Sequence, residues 1–386
     1  AKNTLMLYIR MLFIMAISFF TSRVVLDALG VDDYGVWSVV SGVMTMFSLF
    51  TTSLSTAISR FITFELGKGD SQELKKVFSI SFTVIVALVL CVIVLAETIG
   101  VWFLNTQMNI PEARMEAANW VLQGFIVSFS VGLLISPYCA VIIARERMKV
   151  FAYVGMIETV LKLLIVYTLY FSPFDRLKTY AVMSLLVSAF VWFTYHLYCR
   201  KHFQECAYRF VYDKGLLKGI LGFAGWNFMG SGTYLLNTQG VNILMNIFFG
   251  VGVNAARGIA TQVDGVVQSF ATNFTTAMNP QIIKSYAAGD LDYMHTLVCR
   301  GSKYSYFLMF FFALPLILEA PQVLAIWLVE VPEHTVMFVR LTLISSLTIV
   351  SANTLITAQL ATGKIKKYQL TMSVFNLLVL PVSYIF

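Results

Sequence analysis

The chain has 386 residues, of which 58% are hydrophobic and 12% charged, and its mean hydropathy is +0.78. That is too little polar surface to coat a soluble globule, so lipid is the expected solvent. The net charge of +7 raises the question of a nucleic-acid partner, and the placement of the charges answers it below.

In chain order, apolar runs lie near residues 5–29, 34–59, 77–97, 117–143, 151–171 and 179–198, and then near 219–249, 254–280, 302–329, 335–361 and 369–386. Each can supply the roughly 20 residues of helix that span a bilayer core. The expectation is an all-α polytopic membrane protein with eleven visible spans: a first lobe over 1–200, a cytoplasmic linker over 201–218 and a second lobe over 219–386. The first run is long and lacks a small-residue cleavage site, so it reads as a span and not as a cleavable signal. Because the sequence stops inside an apolar run, the second lobe is expected to be truncated.

With the N-terminus placed in the cytoplasm, twenty basic residues fall on the inner side, among them Arg60, Lys68, Lys75 and Lys76, then Arg145, Arg147 and Lys149, and then Lys364, Lys366 and Lys367. Six lie outside or at outer helix ends: Arg23, Arg114, Arg176, Lys178, Arg257 and Arg340. This is the positive-inside pattern, so the basic balance reflects insertion topology and argues against nucleic acid. The cysteines, Cys91, Cys139, Cys199, Cys206 and Cys299, are odd in number with no C-x-x-C spacing; neither a disulfide framework nor a metal site is indicated, and no cofactor is expected.

The chain repeats itself. At a fixed offset of 220, Gly30, Val31, Val43, Phe50, Thr52, Thr56, Ala57, Ile62, Gly69 and Asp70 meet identical residues at Gly250, Val251, Val263, Phe270, Thr272, Thr276, Ala277, Ile282, Gly289 and Asp290. Six spans per repeat is an even number, so both copies keep one orientation and a pseudo-two-fold axis runs along the membrane normal, with a pathway expected where the lobes meet.

The second span carries Ser41, Thr45, Ser48, Thr52, Ser55 and Ser59 in an arc of about 80°. The offset maps this stripe onto Thr261, Gly265, Gln268, Thr272, Thr275 and Asn279, with Arg257 one turn earlier and Asp264 alongside; the seventh span offers Asn227, Ser231, Tyr234, Thr238 and Asn242. Hydroxyl residues also pack helices together, but matched stripes in both repeats point to a wet central cavity. Arg23 with Asp27, and Glu158 with Lys162, are spaced to pair at i,i+4. Arg23, Arg60, Lys162 and Arg257 outnumber Asp27, Glu158 and Asp264, and guanidinium excess suits phosphate or acidic sugar better than a cationic drug. Pro137, Pro315, Pro321 and the glycines of 222–232 are candidate bends.

The start of the chain, NTLMLYIRMLFIMAISFFTSRVVLDALGVDDYGVWSVV, followed by STAISRFITFELGKGD, resembles the N-terminal region of Wzx-type polysaccharide flippases in the MATE/MOP exporter superfamily. The L-G-x-x-x-Y-G turn and the Arg-bearing helix end before a Gly-Asp loop carry the resemblance. It implies two six-helix lobes that move undecaprenyl-diphosphate-linked oligosaccharide units across the bacterial inner membrane by alternating access, with a polysaccharide polymerase as a prospective partner. Members commonly have more spans than the eleven visible here. Arg23 and Arg257 fall where related flippases place cavity arginines. The rival transport reading is a MATE-type cation-coupled drug antiporter, which would want a buried acid in the first lobe. An enzyme reading, a membrane glycosyltransferase, would use Asp32 and Asp33 of the first outer turn for metal or base chemistry, although Asp-Asp is also common in tight turns.

Overall fold

A computed structural model describes residues 2–45, 47–108, 110–328 and 331–385. The described residues form helices and short connections, with no strand among them. They divide into two compact units, Ala1–Leu221 and Gly222–Phe386.

In the first unit, α1 (Lys2–Leu29) stops at Gly30, whose φ of +81° is left-handed and breaks the helical hydrogen-bond ladder. The Tyr34 N–H then donates to the Gly30 carbonyl at 3.0 Å and starts α2 (Val31–Thr45), which is followed by α3 (Ser48–Lys68). α3 ends on Gly69, and Asp70 caps α4 (Ser71–Leu95) by accepting from the Gln72 and Glu73 N–H groups at 2.9 and 3.0 Å. The Glu73 and Gln72 amides hold the Asp70 carboxyl below the ordinary carboxylate value. α4 continues through a π turn at Ala96–Gly100 into α5 (Val101–Thr106). α6 (Glu112–Ala144), α7 (Met148–Phe171) and α8 (Arg176–His202) complete the unit.

α6 is the centre of this unit, packed against α2, α3, α4 and α8, while α1 lies along α7. Val121, Leu122 and Ile126 of α6 share a core with Ala28, Val36, Val40, Leu169 and Leu177. Within the stretch 201–218, Glu205 accepts from Arg145 at 2.6 and 2.8 Å and the Arg209 N–H donates to Ser79, so this segment also packs on the first unit.

The second unit takes up most of α9 (Lys214–Ala287), which is interrupted at Gly250 (φ +81°, ψ −175°) into arms over 214–249 and 251–287. α10 (Leu291–Leu318), α11 (Ala320–Trp327), α12 (Thr335–Ala361) and α13 (Lys366–Ile385) follow. Val267 and Ala271 of α9, Met309 and Ala313 of α10, and Leu343 and Val350 of α12 form its core.

The repeat landmarks are geometrically matched. Gly30 and Gly250 share φ +81°, Gly69 and Gly289 share φ +79°, and Asp290 caps α10 as Asp70 caps α4, accepting from the Tyr293 N–H. Eight of the described helices are both long and apolar enough to cross a bilayer. The other three expected spans, the α2–α3 pair and the two arms of α9, are long enough but carry the hydroxyl and amide stripes that lower their hydropathy. The apolar run near 302–329 is not one span: it holds the end of α10 and the separate α11, which begins at Ala320 just ahead of Pro321.

Candidate functional site

Five helices of the first unit line a cavity of about 450 Å³, with Trp37 and Ser41 of α2, Ser48 of α3, Phe125 and Ser128 of α6, Lys162 of α7, and Tyr180, Ser184 and Ser188 of α8 on its walls. Helical spacing makes the lining: Ser184 and Ser188 are one turn apart, and Phe125 and Ser128 share a face of α6. Trp37 is wedged between two rings, with centroids 4.4 Å from both Phe125 and Tyr180. Lys162 brings a charge to this space, and its Nζ lies 2.6 Å from Glu158 Oε1, as the i,i+4 spacing predicts.

The hydroxyl stripe of the second span divides by use. Ser41 and Ser48 line the cavity. Ser55 is 2.6 Å from Ser136 and joins α3 to α6, which is packing. Thr52 is exposed and its hydroxyl folds back onto the Ser48 carbonyl at 2.9 Å. Arg60 is buried with its guanidinium over the Phe61 and Phe64 rings, at 4.8 and 4.3 Å. Arg23 is exposed, and its expected pairing is not formed: Asp27 accepts from the Tyr170 hydroxyl of α7 at 2.6 Å. An i,i+4 spacing brings two side chains within reach, but a phenol on the neighbouring helix competes for the same carboxylate.

In the second unit, Gln268 bridges Asp264 at 2.8 Å and Ser346 of α12 at 2.9 Å. Arg257 donates to Asn242, so a hydrogen bond spans the break at Gly250. Asn227 accepts from Gln369 of α13 at 3.1 Å, Thr272 is exposed, and Tyr234 is exposed at 64%. Asp264 and Gln268 are thus engaged with one another, and Arg257 and Asn227 with Asn242 and Gln369 of the same lobe.

Two features escaped sequence reasoning. Arg114 at the start of α6 forks onto Asp33 of α2, with Nε donating at 2.7 Å and Nη2 donating to the other oxygen, and also donates to Asp175, the N-cap of α8, at 2.6 Å. Burial opposes the charge of Asp175, but the Lys178 N–H and Arg114 outweigh it and hold its carboxyl below the ordinary value. This clamp ties three helix starts together, and it engages the Asp33 carboxylate that an enzyme reading would have used; the Asp32 side chain lies outside the described residues. Arg114 had carried a signal as one of few basic residues counted on the outer side. The second feature is Arg10 of α1, which lies over Phe151 at 4.2 Å and fills the space above Gly155, where a Cβ would sit 2.6 Å from its Nε. Among the described residues no group of three or more His, Cys, Asp or Glu could hold a metal ion.

Residues 8–168 match the MatE family model. No curated protein sequence matches the chain. Among solved structures, the chain is similar over its whole length to a point mutant of a MATE protein, with a TM-score of 0.80, 13% identity and 94% of that chain covered. It is similar to the outward-facing form of a multidrug resistance MATE family transporter of the MOP superfamily, with a TM-score of 0.79, 14% identity and 88% of that chain covered. A MOP superfamily transporter from Pyrococcus furiosus, described as having a reversed-polarity binding pocket that suggests a different function, matches with a TM-score of 0.73 and 12% identity over 94% of that chain. The fold is that of the MATE transporters, an all-α multi-pass membrane architecture.

Proposed function

We propose that this protein is a flippase for lipid-linked oligosaccharide units in a bacterial inner membrane, with its N-terminus in the cytoplasm, working by alternating access. The observation that carries the reading is the lining of the first-lobe cavity: serine hydroxyls, aromatic faces and a lysine. Hydroxyls and ring faces suit a glycan, and an ammonium repels a cationic drug. Asp27, the acid of α1, is exposed and held by Tyr170 instead of standing buried in this cavity. Of the cations singled out from the sequence, Lys162 lines this cavity and Arg257 holds Asn242 across the break at Gly250, and both take the substrate contacts in this reading, while Arg60 and Arg23 have a supporting part. A polysaccharide polymerase is the natural partner, since it would consume the delivered units.

One observation favours a second reading, cation-coupled drug antiport: Asp264 is a half-buried acid within a membrane helix of the second lobe. Reconstitution separates the two. Proteoliposomes holding the purified full chain should expose a fluorescent polyprenyl-diphosphate oligosaccharide to an added glycan-cleaving enzyme. Uptake of an organic cation under a proton or sodium gradient, with no movement of the lipid-linked glycan, would overturn the flippase reading in favour of the antiporter.

A further inference from the structure

The cavity in the first lobe is small for an oligosaccharide. At about 450 Å³ it sits at the lower end of the range of ligand pockets, roughly 300–1,000 Å³, and it has room for a sugar unit and not for a repeat. Its chemistry is directional. Trp37 and Tyr180, 4.4 Å apart by ring centroids, form an apolar wall of the kind that takes the C–H face of a pyranose. Ser128 and Ser184 line the same space and can exchange hydrogen bonds with ring hydroxyls. Among the described residues of the lining Lys162 supplies the only formal charge, and its partner Glu158 holds it from one side.

That ion pair is weakly held: the Lys162 and Glu158 side chains are 48% and 35% exposed, and exposed pairs contribute little. An ammonium has three donors, so Lys162 can accept a second carboxylate while keeping, or releasing, the first. A sugar with only hydroxyls would leave this charge unused; a sugar acid would engage it.

We propose that the first-lobe cavity is a subsite for a single acidic sugar, its ring against Trp37 and Tyr180 and its carboxylate on Lys162, with Glu158 setting how strongly the site prefers an anion. This rests on the glycan flippase reading above and adds a specificity-determining pair to it. The consequence is a preference for repeat units that carry a uronic acid.

The test is titration calorimetry on the full chain in nanodiscs, with a glucuronate-terminated trisaccharide, its glucose-terminated counterpart and inorganic phosphate as probes. Lys162→Gln should weaken glucuronate binding about tenfold, the worth of a charge-assisted hydrogen bond, and leave glucose unchanged. Glu158→Gln should tighten glucuronate several-fold, because it removes a competing carboxylate. Opposite effects from neighbouring substitutions cannot come from misfolding. Trp37→Leu should weaken both sugars alike. Phosphate binding that matches glucuronate and ignores Trp37→Leu would overturn the proposal in favour of a simple anion site. Proteoliposomes that translocate lipid-linked glycan while Lys162→Gln and Glu158→Gln shift no sugar would overturn the subsite and leave the flippase standing. Cation uptake without glycan movement would overturn both.

Discussion

Removing Arg114 is the sharpest perturbation of the first lobe. Its guanidinium serves Asp33, whose side chain is 9% exposed, and Asp175, at 28%, and it is itself 32% exposed. Taking one partner from a fully buried pair costs about 3–5 kcal/mol because a buried charge is left unpaired, and the partial exposure of Arg114 and Asp175 brings the expected cost of Arg114→Ala to about 2–3 kcal/mol. Arg114→Lys keeps the charge but cannot fork onto Asp33 while reaching Asp175, and should cost about 1 kcal/mol. The assay is reversible unfolding in mixed micelles titrated with a denaturing detergent, run as a double-mutant cycle with Asp33→Asn, where the coupling should be about 1–2 kcal/mol. If Arg114→Ala lies within about 0.5 kcal/mol of the parent, as an ordinary surface change would, the three helix starts are not held by this clamp.

The same clamp predicts an acid limit. Asp175 has a folded value below its unfolded one, so its contribution is complete at neutral pH and is lost as pH falls through the folded value; unfolding midpoints should be flat from about pH 5 to 8 and drop below about pH 4, less so in Asp175→Asn. Gly250→Ala should cost of order 1–3 kcal/mol although a Cβ there meets nothing within 4 Å, because φ +81° with ψ −175° is open to glycine alone; serine should cost the same, and an unchanged unfolding midpoint would contradict it. Arg257→Ala breaks the bond to Asn242 across the Gly250 break and should abolish glycan export at normal protein level, with Arg257→Lys restoring part; export at the normal rate would reduce Arg257 to an anchor. Cysteines placed at the exposed positions Ser48, Thr52 and Thr272 should react with a polar thiol reagent while one at Ser53, 2% exposed, should not; protection at all three would remove the wet-cavity reading.

Much of the helical plan was legible because it depends on short-range properties. Hydropathy located the helices, and the offset glycines located the breaks, since a left-handed backbone at Gly30 and Gly250 is a property of the residue itself. Asp70 and Asp290 stood out only as matched landmarks of the repeat, and the structure adds that each caps the helix that follows it. What was not legible depends on neighbours from other helices. Ser41, Ser48 and Ser55 lie on one arc, yet two meet a cavity and one meets Ser136, because which helix covers each turn is decided by packing. Asp27 chose Tyr170 over Arg23 for that reason. The partners of Arg114 are 81 and 61 residues away, beyond any periodicity.

The π turn at Ala96–Gly100 holds one residue more than an α-helical path would need, and it turns everything from Val101 outward by about 100° relative to a straight continuation of α4. Leu104 is fully buried at that tip while Ile99 and Trp102 face out at 58% and 56%. The identity of the outer surface of this helix is thus governed by residue count as much as by residue type. Deleting any one residue of the turn would leave every other side chain intact, restore a regular helix, and swing Leu104 out of the core. A single-codon loss there would act as a rotation, and a compensating insertion within the same five residues would reverse it.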